Sequence, residues 1–126
     1  MPKKNKKPRV FVVQDHRRWE RGRLVPRFDL TDAERFGDIV VLLPHDADPN
    51  VPGDHPRRLM EALQDFTDDD HLLAIGNPVL IGWAFTYAAS YNGGRVKTLI
   101  WERDPTDRTR RRSRYVSVVS SLPGLD

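Results

Sequence analysis

The segment HLLAIGNPVLIGWAFTYAASYNGGRVKTLIWE, residues 71–102, decides the fold. A short apolar run, Leu72–Ile75, meets Gly76, and Asn77 and Pro78 follow. A long apolar stretch then ends at Gly93-Gly94, before the run Val96–Trp101. Asparagine is a preferred helix cap, and proline suits a first helical position because the N–H it lacks would be unpaired there. The pattern predicts a strand, a capped helix over Pro78–Tyr91 and a second strand. That is a βαβ unit, whose crossover is right-handed in nearly all proteins.

Upstream, Val10–Val13 reads as a first strand. Ile39–Leu43 is apolar on both faces, as expected of a strand covered on both sides. Gln14–Phe28 has neither period and reads as a basic loop. Thr31 and Glu34 have capping-box spacing, and Gly37 stops a very short helix. Pro44–Asp54 is a loop, after which Asp54 can cap a helix with Pro56 in its first turn. Leu59, Leu63 and Phe66 give that helix one apolar stripe. Tyr115–Val119 is a last strand. The fold class expected is α/β. Helices cover both faces of a mostly parallel sheet in a small Rossmann-like, three-layer domain. Its strands run 2-1-3-4 by chain position, with the fifth antiparallel at the edge. Residues 1–9 are expected as a flexible basic tail, 10–122 as one domain carrying a basic hairpin at 103–114, and 123–126 as a second tail.

The helix 78–91 is unusual, because Val79, Leu80, Ile81, Trp83, Phe85, Tyr87 and Tyr91 leave it almost no polar side. Such a helix is expected to be buried all round, with Gly82 letting it lie close to the sheet. In so small a domain its second face would need another subunit, so a homo-oligomer is expected.

The composition, 126 residues with 38% apolar and 31% charged, suits one soluble domain. With no cysteine, disulfides, thiolate catalysis and cysteine-ligated zinc or iron–sulfur sites are excluded. Met1–Arg9 precedes only four apolar residues, so no secretory leader is expected. Nor is a membrane partner, since no apolar run approaches the roughly 18 residues a span needs.

The net charge of +3 conceals a two-sided layout. Residues 1–9, 14–28 and 103–114 carry +5, +3 and +4, which leaves the remainder at −9. Arginine forks match phosphates. Arg108, Arg110, Arg111, Arg112 and Arg114 on the hairpin are therefore candidate nucleic-acid contacts, joined by Arg17, Arg18 and the stackable Trp19. The competing role for the hairpin is a charged edge that blocks strand-to-strand aggregation.

The hinge is the other candidate site. Free N–H groups and the helix dipole favour an anion at a helix N-terminus. With the strands at 10–13 and 72–75 adjacent, Gly76 and Asn77 would face Gln14, Asp15 and His16, with His45 near the same edge. The glycines of a dinucleotide fingerprint and the Walker pattern are both absent. The hinge thus carries two readings, a ligand crevice and a strand simply turning into a helix. His16 with Asp15 is the only acid–base pair worth carrying forward.

Other constellations are weaker. His45–Asn50 begins like a calcium loop, but Val51 and Arg57 stand where glycine and an acid are required. Asp68-Asp69-Asp70 reads as a solvated loop. The four histidines share no metal spacing, and no serine sits in a nucleophile elbow. No metal, no cofactor and no catalytic residue is assigned, and the chain leans away from an enzyme.

The order Val10–Gln14, Val41–Pro44, Asp70–Pro78, Gly94–Lys97, Leu99–Arg103 and Tyr115 resembles a group of small proteins from tailed bacteriophages. The resemblance implies a phage-encoded protein acting in the bacterial host cytoplasm, and an Asp in similar proteins at the place of Asn77. It brings no activity with it. Two functions are expected from the residues. The first is a non-enzymatic accessory protein that binds nucleic acid, or an acidic host protein, through its basic segments. The second is a small nucleotide-binding or nucleotide-processing domain using the crevice.

Overall fold

The computed structural model describes residues 7–51, 53–103, 105–106 and 113–123. The elements follow in the order β1 (Arg9–Gln14), β2 (Arg17–Glu20), β3 (Arg23–Pro26), a 3-10 segment (Thr31–Phe36), β4 (Asp38–Leu43), α1 (His55–Leu63), β5 (His71–Leu73), α2 (Pro78–Tyr91), β6 (Arg95–Glu102) and β7 (Arg114–Ser121). The fold is mixed α/β. Five strands form one sheet in the order β4-β1-β5-β6-β7. β4, β1, β5 and β6 run parallel, and β7 closes the edge antiparallel to β6.

Alternation along β1 builds two cores. Phe11 and Val13 point to the side where Leu59 and Leu63 of α1 and Leu80, Ala84 and Ala88 of α2 pack with Phe66. Val10 and Val12 point the other way, into a smaller cluster with Ala33, Leu73, Leu99 and Tyr115. Both long helices therefore lie on one face. The other is covered by the 3-10 segment and its flanks, through Leu30, Ala33 and Phe36. The expectation of helices on both faces is corrected to this lighter cover.

The basic loop expected over residues 14–28 contains an antiparallel hairpin, in which Arg17 pairs with Pro26 and Glu20 with Arg23. Its turn, Arg21-Gly22, has positive φ at both residues (51° and 77°). Two-residue hairpins demand that backbone, and glycine supplies half of it without strain.

The capping box is not made either. The carboxylate of Asp29 accepts from the backbone and hydroxyl of Thr31, and the segment that follows is a 3-10 helix with no side-chain cap. Asp54 leaves the α1 terminus uncapped and pairs with Arg57 instead.

Within the chain, α2 buries only Leu80, Ala84, Ala88 and Ala89. Val79, Trp83 and Tyr91 remain exposed, so the chain by itself does not bury this helix all round. Gly82 is exposed with open space beside it, which rules out a close approach to the sheet as its role.

The acid run is not fully solvated. Asp70 is buried and accepts from the backbone N–H and guanidinium of Arg9 and from the N–H and hydroxyl of Thr67. Arg9 belongs to β1, not to a tail, and its guanidinium also meets Asp65. Burial disfavours the Arg9 charge, but the carboxylates of Asp70 and Asp65 outweigh it and hold the guanidinium more firmly protonated than usual. This network ties the starts of β1 and β5 together, at the end of the sheet opposite the hinge.

Candidate functional site

β1 lies between β4 and β5, so the loops leaving β1 and β5 part at its C-terminal end. This is where open α/β sheets usually hold ligands. Gln14 stands at that point. Its backbone N–H donates to Ile75 (3.0 Å) and its side-chain oxygen accepts from the N–H of Asn77 (2.8 Å). The side-chain nitrogen donates to the carbonyl of Ala47 (2.8 Å) and lies 3.2 Å from those of Pro44 and His45. One buried amide thus joins the hinge to the loop after β4.

Gly76 is required by this arrangement. Its φ is +129°, and a Cβ there would lie 2.5 Å from the Cβ of Gln14. Asn77 caps α2 as its type and place predict, with its side-chain oxygen accepting from the N–H of Val79 (2.9 Å). Pro78 has no N–H to offer, and that of Ile81 already bonds the carbonyl of Asn77. Gly76, Asn77 and Gln14 are therefore brought together, and they bond to one another.

Asp15 and His16 follow Gln14 but diverge. The Asp15 carboxylate pairs with Arg17 at 2.7 Å, and the His16 ring rests on Phe28, with centroids 5.3 Å apart. Nδ1 of His16 is buried with no hydrogen-bond partner among the described residues. The acid–base pair considered from sequence is not assembled.

The hairpin β2–β3 is exposed along nearly its whole length. Trp19 is 72% exposed at its centre. Arg17 and Arg18 share their charge with Asp15 and Glu20, whereas Arg21 and Arg23 have no ion pair among the described residues. Arg114 is exposed at the start of β7, and Arg108, Arg110, Arg111 and Arg112 lie outside the described residues.

A cavity of about 520 Å³ opens at the ends of β5 and β6, on the side of the sheet away from α1 and α2. Leu73, Leu99 and Ile75 contribute to its apolar lining. Its aromatic residues are Phe28, Trp101 and Tyr115, the last two meeting edge to face at 4.9 Å. Arg27 arrives from the end of β3 and Arg103 from the end of β6, with Asp29 beside them. Burial pushes the Tyr115 hydroxyl up, and the nearby charges of Asp29 and Asp32 push it the same way. Hydrogen bonds from Thr31 hold the Asp29 carboxyl below its usual range.

Sequence reasoning passed over this cavity. Residues 27–29, 73–75, 99–103 and 115 are distant in the chain, and only the sheet order makes them neighbours. The available signal was period-two alternation in the last strands, which sends Leu99, Trp101 and Tyr115 to one face.

The family model described as Phage Pam3 gp32-like protein matches residues 8–117. The chain belongs to that phage family. Comparison with curated proteins and with solved structures finds no match. Among the described residues no helix is long and apolar enough to cross a membrane.

Proposed function

We propose that this is a non-enzymatic phage accessory protein that binds nucleic acid electrostatically through the hairpin β2–β3 and the basic segment 103–114. One observation carries the proposal. Arg27, which ends the first basic segment, and Arg103, which begins the second, line one cavity. The end of one basic segment and the start of another, some 75 residues apart in sequence, therefore meet at one cavity. The exposed Trp19 adds a surface on which a base can stack. No base-reading module accompanies these arginines, so binding is to the phosphate backbone and not to sequence. The strand order, which runs out to both sides of β1, supports the finer description of the domain as Rossmann-like.

The test is an electrophoretic and calorimetric titration with single- and double-stranded oligonucleotides across salt concentrations. Affinity is expected to fall steeply with salt, each neutralised phosphate contributing about −0.9 to the log–log slope on duplex DNA. Replacing Arg17, Arg18 and Arg23 together by alanine should weaken binding and flatten that slope. Absence of binding at about 50 mM salt, where such contacts are strong, overturns the proposal. So does a triple variant that binds like the parent.

A further inference from the structure

We infer that the cavity bounded by Phe28, Trp101 and Tyr115 receives one unpaired nucleobase, so that the protein prefers single strands to duplex. This rests on the nucleic-acid function proposed above and adds the form of nucleic acid to it. At about 520 Å³ the cavity falls within the usual range for small-ligand sites, roughly 300–1,000 Å³, and has room for a nucleotide. Its chemistry is divided as a nucleotide's is. The floor is apolar, from Leu73 and Leu99, and Trp101 (48% exposed) and Phe28 (43% exposed) bring rings against which a base can pack. Arg27 and Arg103 stand in the same lining, within reach of the phosphates that flank a base seated there.

Among the described residues Asp29 is the one acid in the lining, and it would repel a phosphate. One of its oxygens is taken by Thr31, and the other can accept from the N–H edge of a base. A paired base in a duplex presents neither a free face nor that edge. Duplex can engage the arginines but not the cavity.

The experiment compares a fluorescein-labelled 12-nucleotide single strand with the 12-base-pair duplex of the same sequence, using the full chain at one salt concentration. The single strand is expected to bind about ten-fold tighter, the effect of one stacked base. Trp101→Ala should abolish that preference while leaving duplex affinity unchanged, and Trp101→Phe, which keeps a ring, should restore most of it. Melting curves of both variants check that the fold persists. Should Trp101→Ala fail to fold, Phe28→Ala, on an exposed ring, makes the same test. Equal affinities for the two forms, or a preference that survives Trp101→Ala and Phe28→Ala, overturn the cavity assignment while leaving electrostatic binding in place. Failure to bind either form overturns both.

Discussion

The crevice at the end of β1 and the cavity at the ends of β5 and β6 lie on neighbouring strands of one sheet, yet they are built in opposite ways. In the crevice, Gln14 supplies the polar partners that a ligand would otherwise supply: an acceptor for the N–H of Asn77 and a donor for the carbonyl of Ala47. In the cavity, the polar groups stand at a rim around an apolar floor, and two of the rings are substantially exposed. A capped helix at a topological switch point is a generic invitation to an anion. Whether it is taken up depends on which side chain the preceding strand delivers to that spot. A buried glutamine there acts as a built-in occupant.

The strongest way to break this comparison is to overfill the crevice. Gly76→Ala forces a side chain onto a left-handed backbone and drives its Cβ against Gln14. The backbone alone costs about 1–3 kcal/mol and the overpacking a similar amount, so a loss of about 3 kcal/mol or more in urea unfolding is expected. Gln14→Ala should cost about 2–4 kcal/mol, because it leaves the N–H of Asn77 and the carbonyl of Ala47 without their partner. Gln14→Ala keeps the Cβ that the new methyl would meet at 2.5 Å but removes the Oε1 it would meet at 2.8 Å. Both variants also disturb the same hydrogen bonds, so the two losses should not fully add. The double variant should be more stable than their sum predicts by at least about 1 kcal/mol. Strict additivity would mean that Gly76 is needed for its backbone conformation and the room beside the Cβ of residue 14, and not for the seat of the Gln14 amide.

A smaller effect separates the cap from the occupant. Asn77→Ala removes the bond to the N–H of Val79 and should cost about 1 kcal/mol. Asn77→Asp keeps an acceptor in the same place and should be as stable as the parent. If phosphate or a nucleotide at millimolar concentration raises the melting temperature of the parent but not of Asn77→Asp, the crevice holds an anion in spite of Gln14.

The hinge was legible because its signals are local. Gly76, Asn77 and Pro78 each constrain the backbone within a few residues, and the apolar runs around them specify strands whatever lies elsewhere. The mixed α/β class and the mostly parallel sheet with its antiparallel edge follow from such runs. Gln14 was noticed as a neighbour of the hinge, but three of its four side-chain hydrogen-bonding contacts are to the loop after β4, some thirty residues on. The hairpin β2–β3 was missed because its arginines obscure the alternation, although Arg21-Gly22 between Glu20 and Arg23 is a two-residue turn signal. Asp70 looked like one acid among three; its burial is explained by its partner Arg9, on the neighbouring strand β1, together with the bonds from Thr67. The cavity was the least legible of all, being made of four segments that share nothing until the sheet forms.

The smallest stability effect belongs to the cavity rim, and for that reason it sharpens the comparison most. Arg27 and Arg103 are exposed, and no ion pair holds either among the described residues. Arg27 does lie over the ring of Phe28 at 5.8 Å, a contact worth at most about 1 kcal/mol at an exposed site. Replacing both arginines by alanine should therefore change the unfolding free energy by about 1 kcal/mol or less, within the range usual for surface positions. The same double variant should lose nucleic-acid affinity and lower the salt slope by about 1.4 on a single strand, two phosphate contacts at about 0.7 each. Stability and binding would then be carried by different residues, Gln14 and Gly76 at the crevice and Arg27 and Arg103 at the cavity rim. A double variant that melts several degrees lower would show instead that the rim arginines hold the loop at 27–29 in place, and its weakened binding could no longer be assigned to lost phosphate contacts.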